Sequence, residues 1–487
     1  MNKPTTALAL AAALAAANAG ANTTYTWNGT ADNPVWDTTT ANWTVGGAAA
    51  TWVNNASSSS GSNPSLGAGG ATDITVDAAG VEGYEFDSVG THTLSGGPVT
   101  MHVFDMNNGN LTIYNRFTCT DTGDYAGFRM YGGTGTVTVG DGGYLDAYFS
   151  PFDNASSAGR LVILTNGTFR ATFKSANLKN SNKPTIYFNG GTLIPANTSS
   201  ITTFGGSTKL VIGAGGMRVA PRESGWSYLP GPIGTDTELA TDGGLIIGDL
   251  NNYLYVKNVA STFRGGIHLA GTGGAVGVES NQTLGQTPAV PTDNIFFECP
   301  SNTVSSKLVS HGSVTLNANR NIRIGNGVTA QLSGYNSGSR LTVKGAISCD
   351  NPEHGHLSTV AYDSSSLGPV TLDPGAGRTN RISRLFAQLP GRHRWRTQFR
   401  QHAERNNLEC EGRRTCGVER RGLPLPPRAH QRRGQRRRRH QVGNGHLRPL
   451  QHGQHLQRPG HRHAGRVPPG RGGRHPGDRH GTRRRRG

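Results

Sequence analysis

Three aspartates, Asp141, Asp146 and Asp153, lie in or just after the stretch DGGYLDAYF. Carboxylates this close together could serve as acid and base on a glycosidic bond, or hold Ca²⁺ beside a basic residue. Their spacing weighs against both. Strand side chains two apart share a face, and separations of five and seven align neither pair within one strand. An Asp in a Gly-rich turn ordinarily satisfies local backbone donors. Glu353-His354-Gly355-His356 offers two histidines at strand spacing, a pattern able to bind a transition metal. It has no further ligand nearby in sequence, so no metal site and no cofactor is assigned. No phosphate-binding loop, dinucleotide fingerprint or nucleophile elbow occurs.

Tryptophan offers a different chemistry. Trp27, Trp36, Trp43 and Trp52 fall close together near the N-terminus. Exposed indole faces stack on sugar rings, and buried ones cover the open end of a core economically. Capping is the favoured reading, with glycan stacking as its alternative.

The elements that must position these residues are short strands. TVTVG, RLVILTNGTF, PTIYFNGGTLI, KLVIGAGGM, GLIIGD and RLTVKGAIS alternate apolar and polar residues between Gly, Asn and Asp. A Gly-containing turn precedes each of Tyr144, Thr168, Thr192, Met217, Leu245 and Ile267. Hairpin proteins place such turns far more often, at roughly every tenth position. The recurrence here predicts an all-β, right-handed parallel β-helix of about 22–28 residues per coil, in which only stacking buries the inward Val, Ile and Leu. The expected organisation is a signal peptide over 1–21, a Trp-rich cap segment over 22–60, solenoid repeats over 61–389, and a disordered, low-complexity, Arg-rich tail over 390–487.

The N-terminus has Lys3, an apolar run from Ala7 to Ala17 too short to span a bilayer, and cleavage-compatible small residues ending at Ala19 or Ala21. That arrangement predicts export. The cysteines Cys119, Cys299 and Cys349 are far apart and leave room for at most one disulfide among them.

The stretch TYTWNGTADNPVWDTTTANWTVGG has the form W-x-G, W-D, A-N-W, and SVTLNANRNIRIGNG, Ser313 to Gly327, has the form L-x-x-x-R-x-I-x-x-G. Both resemble segments of exported bacterial proteins with autotransporter-associated β-strand repeats, some of which end in a PEP-CTERM sorting signal. The resemblance covers most of 22–389 as pattern, with these two stretches as its specific parts. It implies a cell-surface, outer membrane-associated or extracellular solenoid without known catalysis in its repeats. The family's N-T-Y-S-G repeat is absent from the chain as written.

The chain's net charge of +18 would ordinarily suggest a nucleic-acid partner. Residues 390–487 hold 27 Arg and 5 acidic residues, so the first 389 hold 21 basic and 25 acidic and carry −4. This tail has no Ile, Tyr or Lys. Shifted by one nucleotide with permitted codons, QFRQHAERNNLECE can become SSGNTLSVTTWNVK, and HLRPLQHGQHLQRPGHRHA can become TFALSNMGNTYSGPDTVTL. The second contains the missing repeat. We therefore read the tail as out of frame, lost between about Ser383 and Trp395, with any authentic membrane anchor lost beyond it and no specific nucleic acid expected. A genuine tail would instead be an arginine arm binding phosphates by charge. The favoured function is structural or adhesive presentation toward extracellular glycans or neighbouring cell-surface components. A glycan-active β-helix enzyme is the alternative, to be recognised by acids and an Arg or Lys converging on one face.

Overall fold

The computed structural model describes residues 21–387 with interruptions, the longest at 150–158, 174–184, 197–208, 360–369 and 374–383. Ala19, Asp153, Glu353 and the tail 390–487 lie outside the described residues.

Within them the chain is a parallel β-solenoid. Alternation is the local cause: in Thr136–Val139, TVTV, both valines are buried and both threonines face outward. One such strand cannot bury two valines alone, so the coils stack in register. Leu111, Val137, Leu161, Ile186, Leu210 and Ile233 pair rung to rung and are all inaccessible to solvent. On the largest sheet the inward column runs Val99, Phe117, Leu145, Phe169, Leu193, Val219, Ile247, Leu269, Phe297, Ile324 and Cys349. Each fully buried side chain of this kind contributes about 1.5–3 kcal/mol.

All six residues expected to begin strands do so, at Tyr144, Thr168, Thr192, Met217, Leu245 and Ile267, on that one sheet. Their corners need left-handed backbone. In the first three, Gly142 (φ 75°), Asn166 (φ 62°) and Gly190 (φ 86°) sit two positions before the strand; in the last three, Gly216, Gly244 and Gly266 sit one before. The ladder absorbs this change by pairing Thr192 with Arg218 rather than with Met217.

Coil length varies more widely than the sequence predicts. Val81 pairs with Val99 after a short coil, because only the strands Val81–Ser88 and Thr91–Gly96 lie in it. Ala275 pairs with Lys307 after a long one, because a 3₁₀ turn at Asn281–Leu284 and the strand Thr292–Phe297 intervene. A further sheet begins at Trp226–Leu229 and continues through Tyr253–Val256, Ala275–Val278, Lys307–Ser310 and Thr329–Gly334.

The segment 22–60 belongs to the same stack: Thr23–Trp27 pairs in parallel with Ser62–Leu66. At its other edge Trp27 opposes Trp43 in an antiparallel pair, and Trp43–Val45 folds back on Ala48–Ala50. An antiparallel hairpin thus covers part of the terminal edge, which protects unpaired backbone groups. Cys119, Cys299 and Cys349 form no disulfide.

Candidate functional site

Trp27, Trp36, Trp43 and Trp52 are at most 3 % exposed. Their rings meet edge to face or tilted at about 5 Å, Trp36 to Trp43 and Trp52 among them, and Trp36 continues onto Phe86. Buried rings offer no face to a sugar, so the glycan-stacking alternative for these four is corrected. The polar residues of the same motif hold the loop that brings them together. Asp37 accepts the backbone N–H groups of Thr39 and Thr40, and the Asn42 amide donates to the carbonyls of Asn33 and Val35.

Asp141 is exposed in its turn, whereas Asp146 projects from the outer face of Tyr144–Phe149. The two do not converge. Asp146 instead receives Arg170 at 2.8 Å from the next rung, with Arg116 at 4.0 Å from the rung before. Burial opposes the charge of Arg170, but the Asp146 carboxylate outweighs it and raises that guanidinium's pKa.

A second charged cluster lies on the same sheet, one not singled out from the sequence. Asp105 on Val99–Met106 stands between Asp87 and Arg129 in the ladder. Arg129 grips both oxygens of Asp105 and reaches Glu85 at 3.0 Å. Burial raises the Asp105 carboxyl to about 7, with Arg129 opposing and Glu85 reinforcing. Acids and arginines therefore do converge on one face, but the arginine donors are engaged by the carboxylates they neutralise.

His356 begins the strand His356–Thr359. Among the described residues no three His, Cys, Asp or Glu side chains are grouped to hold a metal ion.

The third feature is aromatic. Trp226 and Tyr228 stand outward on one rung, and Tyr253 and Tyr255 on the next, paired Trp226 with Tyr253 and Tyr228 with Tyr255. Trp226 stacks on Tyr253 at 4.6 Å. The following rung presents Ala275 and Gly277, and this small pair makes room: a Cβ on Gly277 would lie 2.0 Å from the Tyr253 hydroxyl oxygen. Tyr253 crosses that space to hydrogen-bond His311, whose ring is stacked between Tyr255 and Tyr335, 4.2 Å from each. The Tyr255 hydroxyl donates to Glu279, and the Lys257 ammonium lies over Tyr228 and Tyr255 at 5.6 and 5.2 Å. Burial lowers the His311 pKa to about 4, so the ring is neutral at pH 7. The result is a small outer cluster separate from the main core, with Trp226, Tyr228 and Tyr335 half-buried at its rim. The sequence signal was available as W-x-Y at Trp226 and Y-x-Y at Tyr253, one coil apart.

Among the described residues no helix is long and apolar enough to cross a membrane. In comparisons with known proteins, no family model matches the chain and no curated protein or solved structure is similar to it.

Proposed function

We propose that the chain is an exported β-solenoid of the bacterial cell surface or its surroundings, a passenger of the autotransporter-associated repeat type that holds extracellular glycans on its outer faces as a structural or adhesive element. The observation that carries this reading is the outward cluster of Trp226, Tyr228 and Tyr335 edged by Lys257 and Glu279. Half-buried aromatics with polar groups at their rim suit sugar, which has an apolar ring face and hydroxyl edges. Stacked coils repeat such contacts along an axis, so weak individual contacts sum.

The test is binding of the purified chain to a panel of soluble and insoluble polysaccharides, with Trp226→Ala and Tyr228→Ala. Binding that drops tenfold or more in these variants supports the reading. An unbound panel, or binding indifferent to both substitutions, overturns it.

A second reading, glycan cleavage, draws on the Glu85, Asp105 and Arg129 cluster, because a carboxyl near 7 beside another carboxyl is suited to proton transfer. New reducing ends or unsaturated uronates from the same panel, abolished in Asp105→Asn, would favour it over passive binding.

A further inference from the structure

A cleft of about 510 Å³ opens on the outer face of the sheet that contains Arg160–Leu164, Thr185–Asn189, Lys209–Ile212 and Ile233–Thr235. Its floor is Val211 and Gly234, in register on successive rungs. A Cβ on Gly234 would meet nothing nearer than 3.6 Å, so the floor is open above the glycine. Arg160, Thr185, Tyr187 and Asp236 also line it.

The Tyr187 ring is fixed from two sides. The ring end passes over Gly213, where a Cβ would lie 2.3 Å from the hydroxyl oxygen, and burial, followed by the nearby Asp236, raises the hydroxyl's pKa. The Arg160 guanidinium rests 4.4 Å from the centroid of that ring. A guanidinium held flat on an aromatic face keeps its N–H edge free for a planar bidentate acceptor. Arg116, Arg129, Arg170 and Arg323 each face a carboxylate, whereas Arg160 makes no ion pair among the described residues. Asp236 already accepts from the Glu238 backbone at 3.2 Å.

We infer that this cleft is a subsite for one uronate unit of an acidic polysaccharide, its carboxylate paired with Arg160 and its hydroxyls facing Thr185 and Asp236. The inference rests on the glycan-binding reading above and uses a different face. A carboxylate fits the planar edge of Arg160. Asp236, also in the lining, accepts from hydroxyls and repels a phosphate monoester, which carries nearly two charges, more strongly than a singly charged carboxylate. Rungs are about 4.7–4.9 Å apart, close to the length of one hexose, so a chain laid along the axis meets equivalent rungs with successive sugars.

The experiment measures binding of the full chain to three probes, oligogalacturonate, a neutral dextran oligosaccharide and a sulfated galactan, for the native protein, Arg160→Met and Arg160→Lys. Arg160 is exposed, and an unchanged strand spectrum by circular dichroism establishes that each variant folds. The expected result is preference for oligogalacturonate, at least a tenfold loss in Arg160→Met, partial retention in Arg160→Lys, and unchanged binding of any neutral probe at the aromatic cluster. Preference for the sulfated probe, or oligogalacturonate binding indifferent to Arg160, overturns the uronate subsite alone. Failure of all three probes overturns it together with the glycan-binding reading.

Discussion

Arg320 donates to the carbonyl oxygen of Leu284 at 3.0 Å, although the two are far apart in sequence. Its guanidinium is fully buried, and its acceptors are the carbonyls of Asn281, Leu284 and Gly285 and the side chains of Asn281 and Asn294. Burial lowers its pKa to about 10, yet no carboxylate answers it in these bonds. The arginine of the L-x-x-x-R-x-I-x-x-G stretch is therefore the pin that holds the end of the 3₁₀ turn onto the stack.

Replacing Arg320 with Met removes all of these bonds, and of the acceptors the Asn281 side chain keeps a donor in the Asn317 backbone N–H. Lost buried hydrogen bonds of this kind cost about 1–3 kcal/mol each, and we expect a total destabilisation of about 3 kcal/mol. Lys, a compact point charge, cannot span the same acceptors and should rescue little. Urea denaturation reads both variants, and an unchanged midpoint in Arg320→Met would remove the pin.

Asn166 is the sole non-glycine residue with positive φ among the described residues, in a column where Gly142 and Gly190 serve one coil before and one after. Asn166→Gly should fold with stability within about 1 kcal/mol of the native chain, because glycine enters this region freely but loses more entropy on folding. Asn166→Val should cost about 1–2 kcal/mol through Cβ strain. Thermal denaturation of the pair decides, and equal midpoints would show that the corner adjusts without strain.

Asp105 sets a pH dependence. Its folded pKa of about 7 is raised by burial above the ordinary carboxylate value near 3.9. The folded state therefore binds this proton more tightly. The contribution to stability is fully present below about pH 4 and is lost as pH rises through about 7. Melting of the native chain should weaken across that window relative to Asp105→Asn. The opposite slope would mean that the Arg129 pair dominates over burial.

His311 acts in the other direction. Burial depresses its pKa to about 4, so its contribution is present above about pH 6.5 and is lost as pH falls through about 4. Protonation leaves a charge between the Tyr255 and Tyr335 rings and removes the nitrogen lone pair available to the Tyr253 hydroxyl. Trp226, stacked on Tyr253, should report this as a change in near-ultraviolet circular dichroism or fluorescence centred near pH 4, absent in His311→Gln. A response retained in that variant would assign it elsewhere.

Apolar alternation and six Gly-containing turns determined that this chain is a parallel solenoid and where six of its strands begin, because inward burial and left-handed corners are demands each coil makes on its own residues. Neighbours across coils were decided only by stacking. Coils as short as the one from Val81 to Val99 and as long as the one from Ala275 to Lys307 set a different offset at each rung, so nothing local in sequence says that Arg129 meets Asp105 or that Tyr253 reaches His311. The four tryptophans favoured a cap over a sugar platform in sequence, and packing against one another and Phe86 buried them. In sequence Arg320 is only the arginine of the L-x-x-x-R-x-I-x-x-G form, and the long coil folding back from Asn281 to Asn294 encloses it in neutral acceptors.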